Sequence, residues 1–372
     1  MDTFQNMNKN WDVKKLGEVC KVTAGQSPEG RFYNKNGKGL PFYQGKKDFG
    51  DVYINSPTVW TEFVTKEALA GDILMSVRAP VGPTNFATER ICIGRGLASI
   101  RVTNKINKDY LFYYFKFFEE SIEKNKGAIF DSINKNQIEN LSLPVPELNE
   151  QKRIVKILDE KFGMIEELKK VTKSQIKDVK ELFESRLREV YSSTKYEFGN
   201  LGNSVQIKTG KLNSNAAIPG GKYPFFTCSR EASQINSYSF DCNAVLLAGN
   251  NASADFNVKH YKGKFDAYQR TYVITVLDDS KLNIRFIFYL LSHGLAKFKE
   301  SAVGAGTKFL KLGMIQGFQL PILDKGLQDS LIEELDDLSE KTKTLNDTYR
   351  RKITELEELK KSYLEQAFAG KL

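Results

Sequence analysis

Residues 143–158 read Leu-Pro-Val-Pro-Glu-Leu-Asn-Glu-Gln-Lys-Arg-Ile-Val-Lys-Ile-Leu, a short strand-like run punctuated by Pro144 and Pro146 and followed at once by a helical pattern. Glu147 and Glu150 fall in the first helical turn, where carboxylates suit the positive end of the helix dipole. The block recurs 177 positions later without a gap: Gly127-Ala128 falls on Gly304-Ala305, Ile138 on Ile315, Leu143-Pro144 on Leu320-Pro321, Gln151 on Gln328, Ile154-Val155 on Leu331-Ile332 and Leu158 on Leu335. A match of that length in matching context reads as one unit written twice.

Working outward, the order of segments before the block also returns. Leu201-Gly202 echoes Leu16-Gly17, Lys208-Thr209-Gly210 echoes Thr23-Ala24-Gly25, and Tyr223-Pro224-Phe225-Phe226 echoes Leu40-Pro41-Phe42-Tyr43. Val245-Leu246-Leu247-Ala248 echoes Ile73-Leu74-Met75-Ser76, Ile287-Phe288-Tyr289 echoes Leu111-Phe112-Tyr113, and Arg270 falls near Arg95. These matches need small gaps, so the globular halves share a plan and differ in their loops, as expected if their ligands differ. Within the first half the pattern predicts an opening strand over 11–25, a loop over 26–40 and a strand region from Pro41. It predicts further strands over 73–78 and 91–102, the latter interrupted by Gly94-Arg95-Gly96, an aromatic helix over 110–123 and a short helix within 132–138.

Each repeat block opens a long helical stretch. Val155, Leu158, Phe162, Ile165, Ile176, Val179, Phe183 and Val190 share one alternating 4,3 spacing, interrupted by Lys169, Thr172 and Arg186. Ile332, Leu335, Tyr349, Ile353, Leu356, Tyr363 and Ala367 fit the same frame, interrupted by Ser339, Thr342, Asn346 and Lys360. A sustained 3.5-residue repeat makes a seam that must pack on another helix, and the simplest partner is its own copy. Polar residues in the seam, around Lys169 and Asn346, would penalise slipped pairings. A helix from Leu148 to Val190 would span about 65 Å, the length of a spacer between two bodies.

The chain of 372 residues is long enough for two or more cores, and its 25 Phe and 16 Tyr with 41% hydrophobic residues exclude a disordered protein. The formal net charge is +9, spread unevenly: +4 over 1–146, +1 over 147–193, +7 over 194–326 and −3 over 327–372. A polyanion would therefore meet the globular parts rather than the helices. Cys20, Cys92, Cys228 and Cys242 lie far apart with no C-x-x-C pair, and His260 and His293 are the sole histidines, which argues against a zinc site or a disulfide framework. Free buried thiols in a reducing cytoplasm are the simple reading. Residues 1–10 are polar without an apolar signal core, and no run approaches the roughly 20 apolar residues of a membrane span.

At residues 143–154 the chain resembles the specificity subunit of Type I restriction–modification enzymes, whose first spacer helix starts with Leu-Pro-x-Pro-x-Leu-x-Glu-Gln-Lys-Arg-Ile. The C-terminal run 359–370, Leu-Lys-Lys-Ser-Tyr-Leu-Glu-Gln-Ala-Phe-Ala-Gly, resembles that family's usual ending. Segments 71–82, 93–98, 223–227 and 267–272 resemble common segments of its recognition domains. One departure is visible: Asp324-Lys325-Gly326-Leu327-Gln328-Asp329 replaces the fuller acid-Gln-Lys-Arg pattern at the second spacer. The resemblance implies a mixed α/β (α+β) fold with two globular target-recognition domains, 1–146 and 194–326, and two spacer helices, 147–193 and 327–372. The spacers would form a long antiparallel two-helix coiled coil between the domains, with an internal pseudo-two-fold repeat. It implies a non-catalytic subunit in which each domain reads one half of a split double-stranded DNA target. The helices would set the half-site spacing and dock two methyltransferase subunits, and restriction subunits would join in the full complex. S-adenosylmethionine, ATP and Mg²⁺ would be bound by those partners, with no cofactor on this chain.

Phosphate contacts call for Lys, Arg and small polar groups, and base reading for Arg, Lys, Asn or Gln at groove depth. In the first domain the candidates are Tyr43, Gln44, Lys46, Lys47, Arg78, Arg95 and Lys135, with Gly45 permitting a close backbone approach. In the second they are Lys211, Arg230, Asn250, Lys259, His260, Tyr268, Gln269, Arg270 and Lys308. Each is otherwise a solvated side chain, a structural partner of a carboxylate or, for Tyr268, a core ring. No Asn-Pro-Pro-aromatic or Asp-Pro-Pro-aromatic methyltransferase motif is present. Gly304-Ala305-Gly306-Thr307-Lys308 has the wrong order for a phosphate loop, and Gly94-Arg95-Gly96 reads as a bulge or tight turn. A helical scaffold that does not read DNA, or a nuclease or methyltransferase with an unrecognised site, are the alternative classes.

Overall fold

The computed structural model describes residues 11–124, 132–192 and 195–372; Gly127-Ala128 of the repeat and the polar residues 1–10 lie outside them. The chain forms two compact units, Met1–Thr172 with Arg351–Leu372, and Lys173–Arg350.

In the first unit a four-stranded sheet runs in the order Cys20–Ala24, Leu97–Val102, Ile73–Ser76, Thr84–Phe86. A second, five-stranded sheet contains Leu40–Tyr43 and Ile91–Ile93, which pair in parallel with Phe42 opposite Cys92 and Tyr43 opposite Ile93. Asp12–Lys15 pairs antiparallel with Ser142–Val145, joining the start of the unit to the strand that precedes the first long helix. The strand Ile73–Ser76 is buried throughout, as its unbroken apolar run requires when both faces are covered. The opening stretch is not one strand: a single helical turn, Leu16–Val19, divides it. Leu16 and Val19 are three residues apart and both fully buried, a spacing that a helical turn puts on one face and a strand would split between two. Short elements also break the 26–40 loop, a turn of 3₁₀ helix at Gly30–Phe32 and a two-residue strand Tyr33–Asn34. The aromatic helix is Lys108–Lys124 and the short helix Lys135–Glu139.

The second unit is built on one six-stranded sheet in the order Val205–Thr209, Thr271–Val276, Phe240–Ala248, Val258–Ala267, Tyr223–Phe226, Ser233–Ile235. Its single parallel pairing sets Phe225 opposite Asp266 and Phe226 opposite Ala267. Phe198–Asn200 pairs with Gln319–Pro321 as Asp12–Lys15 does with Ser142–Val145.

The long helices are Leu148–Ser192 and Lys325–Phe368. The second starts two residues before the sequence pattern places it, because Asp324 caps it by accepting from the Leu327 N–H at 2.9 Å. Each unit buries the start of one long helix and the end of the other. In the first, Ile154, Leu158, Phe162 and Ile165 share a core with Leu356, Leu364, Ala367 and Phe368. The ring of Phe368 lies 5.4 Å from Tyr110 and 5.5 Å from Tyr114, which gives the Ala-Phe-Ala ending its physical reason. In the second, Leu331, Ile332 and Leu335 share a core with Leu187 and Val190. Three of the polar interruptions, Lys169, Lys360 and Arg186, are partnered across the two helices, whereas the Asn346 side-chain oxygen is buried without a hydrogen-bond partner among the described residues. In the first unit Lys169 pairs with Glu357 and Glu166, and Lys360 reaches Glu166 at 3.0 Å. In the second, Arg186 grips Glu334 with two bonds of 2.7 and 2.8 Å.

One repeated residue fastens each body to its helix. The buried Gln151 amide accepts from the Asn107 N–H at 2.7 Å and donates to the carbonyls of Pro146 at 2.7 Å and Lys105 at 3.4 Å. Gln328 accepts from the Asn283 N–H at 2.9 Å and donates to Leu323 and Lys281 at 2.9 and 2.8 Å. Each satisfies an orphan donor at the start of a helix, Lys108–Lys124 for Gln151 and Ile284–Ser301 for Gln328, together with two carbonyls that water does not reach freely.

Among the four free cysteines, Cys20 and Cys92 are buried, whereas Cys228 and Cys242 are half-exposed, so the expectation of four buried thiols holds for two. No helix among the described residues is long and apolar enough to cross a membrane.

Two measurements check these anchors. Gln151→Ala or Gln328→Ala leaves buried backbone groups unpaired and is expected to cost about 2–3 kcal/mol in urea denaturation; a loss below about 0.5 kcal/mol, the scale of a neutral surface change, would contradict the anchoring role. Asp72, at the start of Ile73–Ser76, is 3% exposed. Burial pushes its carboxyl up, but hydrogen bonds from Arg101, the Leu69 N–H and Ser99 hold it below its ordinary value. It therefore binds its proton more weakly folded than unfolded, and its contribution is present at neutral pH and lost as pH falls through the folded value. Arg101 is 40% exposed, so water screens part of the attraction. Asp72→Asn is expected to cost about 2 kcal/mol at pH 7, with the gap to wild type closing as pH drops below about 4; a gap independent of pH would contradict it.

Candidate functional site

The turn between Ile91–Ile93 and Leu97–Val102 is closed by Leu97 N–H donating to the Gly94 carbonyl at 3.0 Å, so Gly94-Arg95-Gly96 is a tight turn. Three loops hang from it by backbone bonds. Gly94 N–H donates to the Tyr43 carbonyl at 2.8 Å, Val77 N–H to the Gly96 carbonyl at 2.9 Å, and Gly25 N–H to the Leu97 carbonyl at 2.9 Å. Close approach requires the missing side chains: a Cβ on Gly96 would sit 2.2 Å from the Gln44 carbonyl oxygen, and one on Gly25 would sit 2.2 Å from that of Gly94. Gly45, by contrast, has an extended backbone and nothing within 4 Å of a Cβ, so the glycine that the packing needs is Gly96.

The loops enclose a cleft of about 610 Å³ lined by Gln44, Lys46, Lys47, Arg78 and Arg95, with Ser27 and Ser76 also in its lining. Its lining holds four cations and no carboxylate. The nearby Asp48 carboxylate is turned to its own loop, accepting from the Gln44 N–H at 3.0 Å. Among the described residues none of the four cations has an ion-pair partner, and all are exposed. Unneutralised cations crowded into a concave wall focus a positive potential.

Tyr43 stands behind this surface rather than on it. It is 3% exposed, and its hydroxyl donates to the Asn55 carbonyl at 2.8 Å. Burial, with Glu89 and Asp48 adding to it, pushes the phenol up to about 12. Lys135 is outside the cleft lining and pairs with Glu139 at 3.5 Å, although its segment is tied to the Arg78 loop through Ile133 N–H and the Val77 carbonyl, 3.0 Å.

The second unit repeats the frame bond for bond. Thr271 N–H closes the turn on the Tyr268 carbonyl at 2.8 Å, Tyr268 N–H donates to Phe226 at 2.9 Å, Gly249 N–H to Arg270 at 2.8 Å and Gly210 N–H to Thr271 at 3.4 Å. These bonds make Tyr268, Gln269 and Arg270 the counterparts of Gly94, Arg95 and Gly96. Arg270 therefore corresponds to Gly96, one residue away from the sequence match to Arg95; Gln269 holds the place of Arg95, and Asn250 that of Arg78.

Around this second turn the structure gathers most of the sequence candidates. Gln269 donates to the Asn213 side chain at 2.7 Å, and its N–H to the Leu212 carbonyl at 2.9 Å puts Lys211 beside it. Arg270 lies 5.8 Å from the Phe309 ring centroid. Asn250 and Asn251 pair with Phe309 and Lys308, so the 304–307 glycine run is the turn leading into a short strand. Arg230 is exposed and held by Asp255 at 2.6 Å. Lys259 supports the loop from beneath, donating to the Ser229 carbonyl and Asn257, and burial pushes its amine down. Tyr268 is half-buried. His260 is not part of the group: it bonds Asn243 at 2.7 Å and faces Phe288 on the helix Ile284–Ser301, and burial followed by Arg285 pushes its pKa down. Sequence reading missed Ser27, Asn213 and Phe309, which orient the candidates. Ser27 and Leu212 both stand two residues after a repeat glycine, the one signal that pointed there.

The profile of the Type I restriction modification DNA specificity domain matches the chain twice, over residues 8–178 and 193–356. The putative type I restriction enzyme MjaX specificity subunit of Methanocaldococcus jannaschii is 42% identical over 173 residues, 45% of this chain and 40% of that protein. The type I restriction enzyme EcoDI specificity subunit of Escherichia coli is 41% identical over 123 residues, 33% of this chain and 26% of that protein. The chain thus matches well under half the length of these relatives. Among solved structures, a chain from work on complex assembly of the type I R-M system superposes with a TM-score of 0.80 at 18% identity, covering 98% of this chain and 99% of that one. The HsdS subunit from Thermoanaerobacter tengcongensis gives 0.59 at 18% identity, covering 98% of both. At such identity the likeness is one of fold.

Since a Cβ at Gly96 has only a backbone carbonyl to displace, Gly96→Ala is expected to cost about 2 kcal/mol in thermal or urea unfolding. Gly45→Ala is expected to be neutral within about 0.5 kcal/mol. Equal effects of the two would contradict this assignment of the turn.

Proposed function

This chain belongs to the Type I restriction modification DNA specificity family, and from that premise we propose that it reads DNA sequence for a modification and restriction complex without performing chemistry itself. The observation that carries the reading is the duplicated turn, which in each unit holds exposed cationic and amide side chains together on one backbone frame. Each unit reads one half of a two-part duplex target. Lys46, Lys47, Lys211, Arg230 and Lys308 neutralise phosphates, and Gln44, Arg78, Arg95, Asn250, Gln269 and Arg270 reach base edges. Tyr43, Tyr268 and Lys259 hold the loops, and Lys135 and His260 lie at the margin.

The four-part division of the chain follows the same proposal: recognition domains over 1–146 and 194–326, spacers over 147–193 and 327–372. The long helices pair antiparallel as a coiled coil with pseudo-two-fold symmetry and set the separation of the half-sites. Support comes from ion pairs between the two helices inside each unit, Lys169 with Glu357 in the first and Arg186 with Glu334 in the second. Two methyltransferase subunits dock on these helices, restriction subunits join the full complex, and S-adenosylmethionine, ATP and Mg²⁺ belong to those partners. The complex works in the cytoplasm.

Salt titration of DNA binding tests the reading. Lys46→Ala with Lys47→Ala is expected to weaken binding to every sequence and to lower the slope of log K against log[salt] by about 0.9 for each phosphate no longer neutralised. Arg270→Ala is expected to cost about 1–3 kcal/mol and to relax one target position. Binding that ignores salt, or that survives these changes, would overturn the proposal.

A further inference from the structure

The shared frame pairs side chains as well as loops. At the tip of the turn Arg95 N–H donates to the Ser27 hydroxyl at 3.2 Å, and Gln269 N–H donates to the Leu212 carbonyl at 2.9 Å, with Ser27 and Leu212 each two residues past the glycine bonded to the turn. On the neighbouring loop Val77 and Gly249 bond the same carbonyl position, and the next residues are Arg78 and Asn250. At both positions beside the turn, a guanidinium in the first unit is therefore replaced by a carboxamide in the second.

That exchange changes what can be recognised. A guanidinium offers donors only, and two of them match O6 and N7 of guanine in the major groove. A carboxamide offers a donor and an acceptor side by side, matching N7 and the N6 amino group of adenine. Gln269 is held for such an interaction. One N–H of its amide goes to Asn213 at 2.7 Å, which leaves the other N–H and the carbonyl oxygen for a ligand. Arg95 and Arg78 have no carboxylate partner among the described residues, so their donors remain available in the cleft.

We infer that the two units differ in base preference at equivalent positions: guanine opposite Arg95 and Arg78 in the first, adenine opposite Gln269 and Asn250 in the second. The assignment rests on the reading that each unit binds half of a duplex target. Arg270 stands outside it, because its counterpart is Gly96 and its guanidinium is laid over Phe309.

The test is selection from a randomised duplex pool by the full chain, purified with whatever subunits accompany it, followed by sequencing of the bound DNA. Arg95→Gln is expected to move one position in one half-site from guanine to adenine, with a preference change of about 10-fold, and to leave the other half-site alone. Gln269→Arg is expected to do the reverse in the other half. Arg78→Asn and Asn250→Arg give a second exchange at exposed or half-exposed positions, with an unchanged melting curve showing that the fold survives. A selected target whose bases stay put in these variants overturns the assignment alone, as does a uniform loss of affinity without a change of base, which marks a phosphate-binding role. A wild-type protein that selects no motif overturns the DNA reading and this assignment together.

Discussion

In each unit three loops hang from one tight turn through bonds that belong to the backbone. Such bonds do not depend on which side chain a residue carries, so the frame persists while the groups mounted on it change. Gly94-Arg95-Gly96 and Tyr268-Gln269-Arg270 share no residue, yet the four backbone bonds that close each turn and tie the three loops to it correspond, and only the N–H at the tip differs, meeting a Ser27 hydroxyl in one unit and the Leu212 carbonyl in the other. The cost falls on space. Where Gly96 lets the Gln44 carbonyl approach, the second unit carries Arg270 and moves that side chain out onto Phe309. A scaffold of this kind keeps loop positions fixed while the side chains mounted on them differ, which is what the proposed reading of two half-sites calls for.

The same economy governs the joint between body and helix. Gln151 and Gln328 each fill three hydrogen-bond roles in a buried place where a partly satisfied amide would cost more than an apolar residue. Farther along the helices, Lys169 with Glu357 and Arg186 with Glu334 put charged groups at positions where a greasy seam would tolerate slippage. Such pairs add little stability at half-exposed positions, but a one-turn shift would leave them unmatched.

Much of this was legible in the sequence because the signals were periodic. The repeated block around Gln151 and Gln328, the long 4,3 spacings and the glycine turn all announce themselves through spacing. What spacing could not convey was set by tertiary packing. Leu16 and Val19 belong to a helical turn because both meet one core, and Asp324 starts its helix early through a side-chain cap. Tyr43 looked like a surface aromatic beside lysines, but its ring closes the core beneath them. His260 sits on a strand that reaches the site with Lys259 and turns its ring to a helix instead. The sequence places Arg270 only near Arg95, and the backbone bonds supply the residue-for-residue match, with Gln269 in the equivalent place.

The most direct measurement is a map of methylated bases across the genome of a host carrying this chain, compared with the same host lacking it. A two-part motif with a fixed gap, present with the gene and absent without it, is the result expected of twin reading heads on one frame. Methylation that is unchanged on loss of the gene, or a single uninterrupted motif, would contradict the account.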